Sequence, residues 1–366
     1  MTVPFLDLAA GHAQLGADID LAIQRVVRSS HFVLGEEVEQ FEREFSAYTE
    51  AAHCIGLGNG LDALHLALRA MGVGPDDEVI VPAHTFIATW LAVSHCGATP
   101  VPVEPSEDSY NMDPQRIEAA LTERTKVIMP VHLYGLPADL DTILPLARRH
   151  GLRVLEDAAQ CHGARYKGRR IGAHGDAVAW SFYPTKNLGA MGDGGAVTCA
   201  DPALAERIRL LRNYGSREKY VNDIRGFNSR LDPMQAAILR AKLKHLDSWN
   251  EQRRLLAQRY AQELADSGFI LPAATTDADH VWHLYVIRSP QRSRLANWLA
   301  SQEIATQIHY PIPPHLQSAY ADLGLARGSF GIAERLADEL ISLPMWPQME
   351  HAMQDRVIAA LRKFPQ

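Results

Sequence analysis

The chain has 366 residues, of which 47% are hydrophobic and 22% charged, so it is long enough for about two domains with ordinary hydrophobic cores. Its net charge of −7 argues against nucleic acid or an anionic membrane surface as its main partner. No apolar run approaches the length of a membrane span, the N-terminus lacks a signal-peptide pattern, and the four cysteines stand singly, which together predict a cytoplasmic location.

The N-terminal half of the chain predicts helices first and then a sheet. A helical piece is predicted over roughly residues 11–48, and packing against a smaller C-terminal domain is one arrangement open to it. From about residue 50 to about residue 200, short apolar runs alternate with helical patterns, which is typical of a parallel β-sheet covered by helices. The predicted strands are His53–Leu57, Glu78–Val81, Pro100–Val103, Lys126–Val131, Arg153–Asp157, Val178–Ser181 and Ala196–Cys199. The helices predicted between them include Leu61–Met71, Pro114–Leu121 and Asp139–Arg149.

The pattern changes after residue 200. From Asp201 to Leu246 it is mainly helical, and Asp232 followed by Pro233 marks a clear helix start. After about Ser248 a smaller α/β module is predicted, with a strand at His283–Ile287 and a helix near Arg292–Gln302. The chain is therefore predicted to divide into an N-terminal segment with a large domain over residues 1–248 and a small domain over residues 249–366.

A lone lysine, Lys186, stands in the segment SFYPTKNLGAMGDGG, which follows a predicted strand that ends at Ser181. Loops at the carboxyl ends of parallel strands border the crevice in which α/β proteins bind ligands. An amine there can attack an aldehyde if its surroundings keep it partly neutral. The segment alone leaves this interpretation and that of an ordinary surface lysine about equally open.

A carboxylate, Asp157, ends another predicted strand and precedes small residues and Gln160 in the segment EDAAQCHGA. Pyridoxal-5'-phosphate (PLP) acts as an electron sink only while its pyridine nitrogen stays protonated, which a buried carboxylate supports. Gln160, three residues after Asp157, is a candidate to hydrogen-bond the phenolic oxygen of such a ring. A helix N-cap at Asp157 is the alternative, and the segment alone favours it.

Two further strand ends carry candidate ligand groups. Gly56, Gly58 and Gly60 lie at a strand-to-helix junction, where backbone N–H groups and the helix dipole suit a phosphate; a tight turn is the alternative. The spacing does not match a dinucleotide fingerprint, so a single phosphate monoester fits it better. Phe86, in the segment VPAHTF, follows the next strand and is placed to stack on a flat ring, although such an aromatic is more often part of a core.

One more polar segment, GFNSRLD at residues 226–232, precedes the helix that begins beside Pro233, and by itself it suggests only loop and capping chemistry. The other four segments follow successive predicted strand ends. Together they supply a phosphate cradle, a stacking ring, a carboxylate for a pyridinium nitrogen and a lysine, which are the groups that PLP requires.

Six segments, taken together, resemble the nucleotide-sugar aminotransferase family within the fold-type-I (aspartate aminotransferase-like) PLP enzymes. They are GNGLDAL, VPAHTF, VHLYGLPAD, EDAAQCHGA, SFYPTKNLGAMGDGG and LRNYGS…GFNSRLD…QAA. The resemblance runs from PFLDL near residue 4 to HYPIPPH at residues 309–315 and covers nearly the whole chain. It implies a large domain with a mostly parallel seven-stranded sheet flanked by helices, plus a smaller C-terminal α/β domain.

The resemblance also implies roles for individual residues. Lys186 would form the Schiff base with PLP and shuttle the proton during the reaction. Asp157 would pair with the pyridinium nitrogen, Gln160 would contact the ring oxygen, and Phe86 would stack on the ring. The phosphate would be held by Gly60, Leu61 and Asp62, largely through their backbone, by the Ser181 hydroxyl, and by Asn228 of the partner subunit. The enzyme is therefore expected to be an obligate homodimer with shared active sites.

The segment SFYPTKNLG looks like the subgroup that aminates C-3 of dTDP-linked 3-keto-6-deoxyhexoses, and HYPIPPH fits the same subgroup. Tyr183, His309 and Tyr310 are accordingly the expected substrate contacts. In the implied reaction, L-glutamate donates its amine through PLP, and the keto-sugar becomes a dTDP-3-amino-3,6-dideoxyhexose.

Several alternatives remain beside this prediction. The main one is amination at C-4 of a nucleotide-linked 4-keto-6-deoxyhexose. A deoxysugar dehydratase on the same scaffold would carry histidine where this chain has Lys186. A PLP-binding regulatory protein would be expected to lose Lys186 or Asp157, and both are present. His309 and His315 lack the spacing of a metal site, so no metal is expected.

Overall fold

The computed structural model describes residues 2–273 and 277–365, which form an α/β protein built around one large sheet. Its strands are β1 (His53–Leu57), β2 (Glu78–Pro82), β3 (Thr99–Val103), β4 (Thr125–Ile128), β5 (Arg153–Asp157), β6 (Arg165–Tyr166), β7 (Arg169–Arg170), β8 (Ala177–Ser181), β9 (Gly195–Cys199), β10 (Ser216–Glu218), β11 (Val221–Asn222), β12 (Ala278–Asp279), β13 (Tyr285–Arg288) and β14 (Leu340–Leu343). Its helices are α1 (Leu8–Ser29), α2 (Glu36–Tyr48), α3 (Gly60–Ala70), α4 (Ala88–His95), α5 (Leu140–Arg149), α6 (Pro202–Arg212), α7 (Pro233–Leu243), α8 (Leu246–Glu263), α9 (Arg292–Ser301), α10 (Gly331–Glu339) and α11 (His351–Arg362).

The large sheet has seven strands in the order β1-β9-β8-β5-β4-β2-β3. The strands β8, β5, β4, β2 and β3 pair in parallel, whereas β9 runs antiparallel to both of its neighbours. These are the seven strands that the apolar runs predict, so the predicted mostly parallel seven-stranded sheet is confirmed. Their bounds agree within one residue, except that β4 ends at Ile128 rather than Val131.

Helices cover both faces of this sheet, which is why its central strands read as continuous apolar runs. On one face, α3, α4 and α6 pack over residues such as Leu57, Val79 and Val197. The opposite face is covered by α2, α5 and α7. Because β2, β5 and β8 run in the same direction, the loops that follow them meet at one edge of the sheet.

The two N-terminal helices pack on the large sheet and its neighbouring helix α7. Phe41 and Phe45 of α2 contact Phe182 edge-on, with ring centroids 5.3 and 5.4 Å apart. On α1, Leu15 and Ile19 pack with a residue of α7.

Helix α1 also contacts the C-terminal part of the chain, because the Gln14 side chain accepts hydrogen bonds from the Trp249 indole over 3.0 Å and from the Gln348 amide over 2.8 Å. The N-terminal piece therefore packs on the large sheet and α7, and it also meets the smaller C-terminal module at Gln14.

One helix prediction differs from the structure. The predicted helix Pro114–Leu121 is two short 3₁₀ turns, Pro114–Arg116 and Glu118–Ala120. Within this segment Ile117 is the one fully buried side chain, and so short a stretch has too little apolar contact to support an α-helix. The region Asp201–Leu246, predicted as mainly helical, contains α6 and α7 separated by a long segment that carries the β10–β11 hairpin.

A second hydrophobic core surrounds the antiparallel pair β13–β14 and includes residues of α8, α9 and α11. The strand predicted at His283–Ile287 is β13, shifted slightly along the chain, and the helix predicted near Arg292–Gln302 is α9. Leu246 of α8 belongs to the large core, whereas Tyr260 of the same helix belongs to the second core. The predicted domain division after residue 248 thus falls inside α8 and stays a prediction.

Across the described ranges, no helix has both the length and the apolar composition needed to cross a lipid bilayer.

Candidate active site

Lys186 lies on the loop that connects β8 to β9, at the edge of the sheet where the strand-end loops meet. Backbone hydrogen bonds keep this loop compact: the N–H of Lys186 donates to the Tyr183 carbonyl over 2.9 Å, and that of Ala190 donates to the Phe182 carbonyl over 2.7 Å. The buried ammonium of Lys242, on α7, donates to the Gly189 carbonyl over 2.7 Å. Lys186 therefore lies on a compact loop that a hydrogen bond from α7 stabilises.

The Lys186 side chain is a poor place for a positive charge. Burial lowers the pKa of its amine to about 8, although the Asp157 carboxylate acts in the opposite direction. An amine with this pKa is partly neutral near physiological pH, as a nucleophile requires. Asp157 ends β5 and Lys186 follows β8, two strands that end at the same edge of the sheet, and the charge of each residue affects the pKa of the other.

Asp157 ends β5 and is almost completely buried. Its Oδ2 atom accepts a hydrogen bond from the Thr89 hydroxyl over 3.0 Å, and its Oδ1 atom accepts one from the Ala159 N–H over 3.1 Å. Burial raises the pKa of Asp157, while these hydrogen bonds and the nearby Lys186 oppose the increase. Residues 158–163 form turns and no helix, so the N-cap alternative for Asp157 is wrong.

Gln160 is buried beside Asp157, and its amide orientation is determined by two bonds. Its Oε1 atom accepts the Tyr134 N–H over 2.6 Å, and its Nε2 atom donates to the Tyr310 hydroxyl over 3.0 Å. An amide nitrogen has two protons, so one remains for a ligand oxygen. Tyr134 has φ 58°, a left-handed conformation that turns the chain after β4 and directs this N–H toward Gln160.

The junction of β1 and α3 forms a cradle at the opposite end of the site. A Cβ atom on Gly60 would lie 2.5 Å from the Ser181 Cβ atom, so α3 and the end of β8 can approach this closely only with glycine at position 60. Among the bonds of the described residues, the N–H groups of Gly60 and Leu61 have no acceptor. They are the donors that a helix N-terminus offers to an anion.

The N–H group of Asp62, expected to help hold the phosphate, already has a hydrogen-bond acceptor within its own chain. This N–H donates to the Asn59 side chain over 2.8 Å, because Asn59 is the N-cap of α3. The Asp62 carboxylate accepts the Ser229 hydroxyl over 2.6 Å, and Ser229 in turn accepts the Gly58 N–H over 3.1 Å. Asp62 therefore contributes through the shape of the cradle, while the N–H groups of Gly60 and Leu61 and the Ser181 hydroxyl are the free donors.

Aromatic side chains line the open side of the site. The Phe86 ring is 52% exposed and lies 5.3 Å from the Tyr310 ring, tilted by 40°, so it is not part of a core. Tyr183 is 53% exposed. Burial, together with Lys186, lowers the pKa of His309 to about 4, and its Nδ1 atom lies 2.9 Å from the Ser342 hydroxyl. His309 is therefore a neutral imidazole in the same site as the lysine.

Asn228 lies beyond these groups, on the segment that joins β11 to α7. It forms a β-bridge with Asn213, and its side chain is exposed. The next residue, Ser229, contacts the cradle of its own chain through Asp62. Asn228 is thus held at the surface beside the cradle.

The residues present fit a PLP molecule. The buried carboxylate suits a pyridinium nitrogen, the partly neutral amine suits an aldehyde, and the Gly60 cradle suits a phosphate. Gln160 keeps one donor for the phenolic oxygen, and the exposed Phe86 ring is available for stacking.

Three residues that support this site were not predicted from the sequence: Thr89, Tyr134 and Lys242. Thr89 lies in the first turn of α4, and Thr85 precedes this helix; the spacing of four residues is one that can bring two hydroxyls together. Tyr134 stands in the segment VHLYGLPAD, and its hydroxyl contacts His84 and the His309 carbonyl. Lys242 is one of two basic residues on α7, the other being Arg240, and nothing in the sequence distinguishes it.

Comparison with known proteins identifies the family. The sequence profile of the DegT/DnrJ/EryC1/StrS aminotransferase family matches residues 13–362. The chain is 57% identical to the erythromycin biosynthesis sensory transduction protein EryC1 of Saccharopolyspora erythraea, over 99% of each chain. It is 55% identical to a dTDP-3-amino-3,4,6-trideoxy-alpha-D-glucose transaminase of Streptomyces venezuelae, over 99% of this chain and 96% of that one. It is 49% identical to a dTDP-3-amino-3,6-dideoxy-alpha-D-galactopyranose transaminase of Aneurinibacillus thermoaerophilus, over 99% of each.

The fold of the chain is also similar to that of a solved structure. The crystal structure of S. venezuelae DesV in complex with a ketimine intermediate superposes with a TM-score of 0.97 at 55% identity, covering 99% of this chain and 98% of that one.

Proposed function

The chain belongs to the DegT/DnrJ/EryC1/StrS aminotransferase family, and we propose that it moves the amino group of L-glutamate to C-3 of a dTDP-linked 3-keto-6-deoxyhexose. It is a PLP-dependent aminotransferase. The observation that carries the proposal is the half-buried Lys186 beside the buried Asp157 at the strand-end edge, where the charge of each affects the pKa of the other. Relatives that aminate C-3 of dTDP-sugars support the position of the new amine.

When bound, PLP would supply the aldehyde that binds the amine and the ring that withdraws electrons from the substrate carbon. Lys186 would hold the aldehyde and, once released as a free amine, would take the proton from that carbon and return it. Asp157 would keep the pyridine nitrogen protonated through its charge. Gln160 would donate to the phenolic oxygen and Phe86 would cover one face of the ring.

We place the sugar on the side of the site lined by Tyr183, His309 and Tyr310. Tyr310 accepts a hydrogen bond from Gln160, so its own hydroxyl proton is free to donate to a sugar oxygen. His309 is neutral and offers a ring nitrogen without adding charge, and the exposed Tyr183 ring provides apolar contact.

We further propose that two copies of the chain share their sites. Exposed apolar side chains are concentrated in and beside the β10–β11 hairpin. They are Tyr214, Tyr220, Val221, Ile224 and Phe227, and Tyr220 is 87% exposed. Apolar groups gathered on one protruding element are typical of a protein interface. Asn228 lies on the segment that leads from this hairpin to α7, and Asn228 of the partner subunit would then reach the phosphate cradle. The cytoplasm is the proposed compartment, since all four cysteines are buried free thiols.

The test follows both halves of the reaction. Purified protein is loaded with PLP, its absorbance is recorded before and after L-glutamate, and the sugar product is analysed by NMR. The proposal predicts a lysine-bound cofactor band that glutamate bleaches, and an amine at C-3 of a dTDP-3-keto-6-deoxyhexose. Lys186→Ala removes the band, whereas Lys363→Ala, an exposed lysine near the C-terminus, leaves it unchanged.

Other outcomes separate the alternatives. Amination of a 4-keto-6-deoxyhexose at C-4, with no turnover of the 3-keto-sugar, would overturn the regiochemistry and leave the aminotransferase. A bound cofactor that glutamate never converts would move the chain toward the regulatory role that the name of the S. erythraea relative suggests.

A further inference from the structure

We propose that Thr89, held in turn by Thr85, is a positioning residue that fixes the Asp157 carboxylate for its contact with the cofactor's pyridine nitrogen. The inference rests on the proposed function, because it concerns how the same site treats PLP. It begins from three side chains joined in a row. The Thr85 and Thr89 hydroxyl oxygens lie 2.9 Å apart, and the Thr89 hydroxyl lies 3.0 Å from Asp157 Oδ2.

The direction of the hydrogen bonds in this row follows from counting protons. A carboxylate only accepts hydrogen bonds, so Thr89 must donate its single hydroxyl proton to Asp157. Thr89 then has only its lone pairs left for Thr85, and Thr85 must be the donor to Thr89. The row therefore has one consistent orientation while Asp157 is ionised, and it reverses only if Asp157 takes up a proton.

Because these three side chains are buried, the hydrogen bonds between them cannot be replaced by bonds to water. Thr85, Thr89 and Asp157 are each at least nine-tenths buried, so water does not replace a missing partner. Threonine hydroxyls within helices commonly bond to the backbone carbonyl four residues earlier. Thr89 instead directs its hydroxyl to a side chain 68 residues away in sequence.

The helix that carries Thr89 is held rigidly against the sheet. The Trp90 indole, completely buried, donates to the Pro82 carbonyl at the end of β2 over 3.0 Å. The N–H of Thr89 donates to the Phe86 carbonyl over 3.2 Å. The same short segment therefore carries Phe86, the proposed stacking ring, and the hydroxyl that holds Asp157.

Without the Thr89 hydroxyl, Asp157 would keep one hydrogen bond, from the Ala159 N–H to Oδ1. The carboxylate could then rotate, and its Oδ2 atom could be protonated. The other ionisable groups that face Asp157 are Lys186, His132 and Tyr310. The hydrogen bond from Thr89 lowers the pKa of Asp157, so without it the carboxylate is more basic and draws the shared proton away from the positively charged pyridinium nitrogen. Because that positive charge repels a proton on the nitrogen joining lysine to cofactor, its loss should raise the pKa of that nitrogen.

The experiment is a pH titration of the lysine-bound cofactor band in the PLP-loaded protein. We compare the parent with Thr89→Val, which removes the hydroxyl at nearly constant shape, and with Thr89→Ser, which restores it. Thr89→Val should raise the apparent pKa by about one unit, Thr89→Ser should titrate like the parent, and Thr85→Val should shift it less than Thr89→Val.

A double-mutant cycle tests whether Thr89 acts through Asp157. In an Asp157→Asn background, Thr89→Val should add no further shift, and a full additional shift there would overturn the inference. A Thr89→Val protein that titrates like the parent would overturn it as well. If the parent itself shows no lysine-bound band, the proposed function has failed instead. If Thr89→Val binds the cofactor poorly, Thr85→Val replaces it. The same double-mutant cycle with Asp157→Asn then tests the inference by the same criterion.

Discussion

The two ends of the candidate site are built differently. At the pyridine end, Asp157 and Gln160 are buried, and side chains and backbone of the same chain hold them. At the phosphate end, the free donors are backbone N–H groups of Gly60 and Leu61, and Asn228 is exposed beside them. A single chain therefore completes the end that governs the chemistry, whereas the end that retains the cofactor is open. In the proposed dimer, the partner copy is therefore expected to add affinity for the cofactor more than it adds chemistry.

The largest expected effect comes from removing the charge at the pyridine end. Asp157→Asn keeps the shape of the side chain but loses the carboxylate, so the turnover rate should fall roughly 100- to 1,000-fold. Cofactor retention should change far less, because the phosphate end is untouched. Steady-state kinetics and the bound PLP after gel filtration measure the two quantities. Equal losses of rate and retention would contradict the division of labour between the two ends.

The next effect concerns the open end and its partner. Val221 on the hairpin is 52% exposed, and Val221→Asp would place an unpaired charge in the proposed interface. This should cost about 3 to 5 kcal/mol, or roughly 100-fold or more in the dimer dissociation constant. Analytical ultracentrifugation measures it, with Leu255→Asp, an equally exposed site on α8, as the matched control. Unchanged association of Val221→Asp would exclude the hairpin as the contact.

A smaller effect is expected within the phosphate cradle. The Cβ atom of Gly60→Ala would press on Ser181, so α3 or β8 must shift at a cost of about 1 to 3 kcal/mol. PLP should then bind roughly tenfold more weakly, with little change in the rate at saturating cofactor. Gly16→Ala, in α1 where an added Cβ atom meets nothing within 4 Å, is the control. A Gly60→Ala protein with the parent's PLP affinity would rule out this cradle.

The smallest expected effect concerns the pKa of Lys186 and the influence of Asp157 on it. The pKa of Lys186 is lowered to about 8, so below that pH most of the amine is protonated and cannot attack an aldehyde. The rate at which apo-protein captures PLP should therefore rise with pH and level off above about pH 8. Asp157→Asn removes the charge that opposes this lowering, so its plateau should begin at a lower pH. Stopped-flow measurements of PLP capture over a series of pH values test this prediction. A plateau that begins at a higher pH in Asp157→Asn would contradict the proposed effect of Asp157 on the pKa of Lys186.

The sequence predicted the sheet well because buried strands leave an unmistakable apolar pattern. All seven strands and the strand-end positions of Asp157 and Lys186 follow from it. The antiparallel direction of β9 does not, since direction depends on how the loop carrying Lys186 returns to the sheet. The hydrogen bond from Thr89 to Asp157 also joins distant segments, and no local pattern encodes it.

Local competition for one donor explains the remaining difference at the site. Asp62 was expected to offer its N–H to phosphate, but Asn59 stands three residues earlier and captures that N–H as an N-cap. Asparagine at this spacing is a recognisable capping signal, so this detail was available in the sequence. The exposure of the hairpin, by contrast, emerges only from the folded chain.

The most direct test of the account is to identify the residue that holds the cofactor. The PLP-loaded protein is reduced with borohydride, digested, and mapped by mass spectrometry. We expect a pyridoxyl group on Lys186, in the peptide that contains Tyr183 and Asn187, and none after incubation with excess L-glutamate. Labelling of another lysine, or no labelling of the loaded protein, would contradict it.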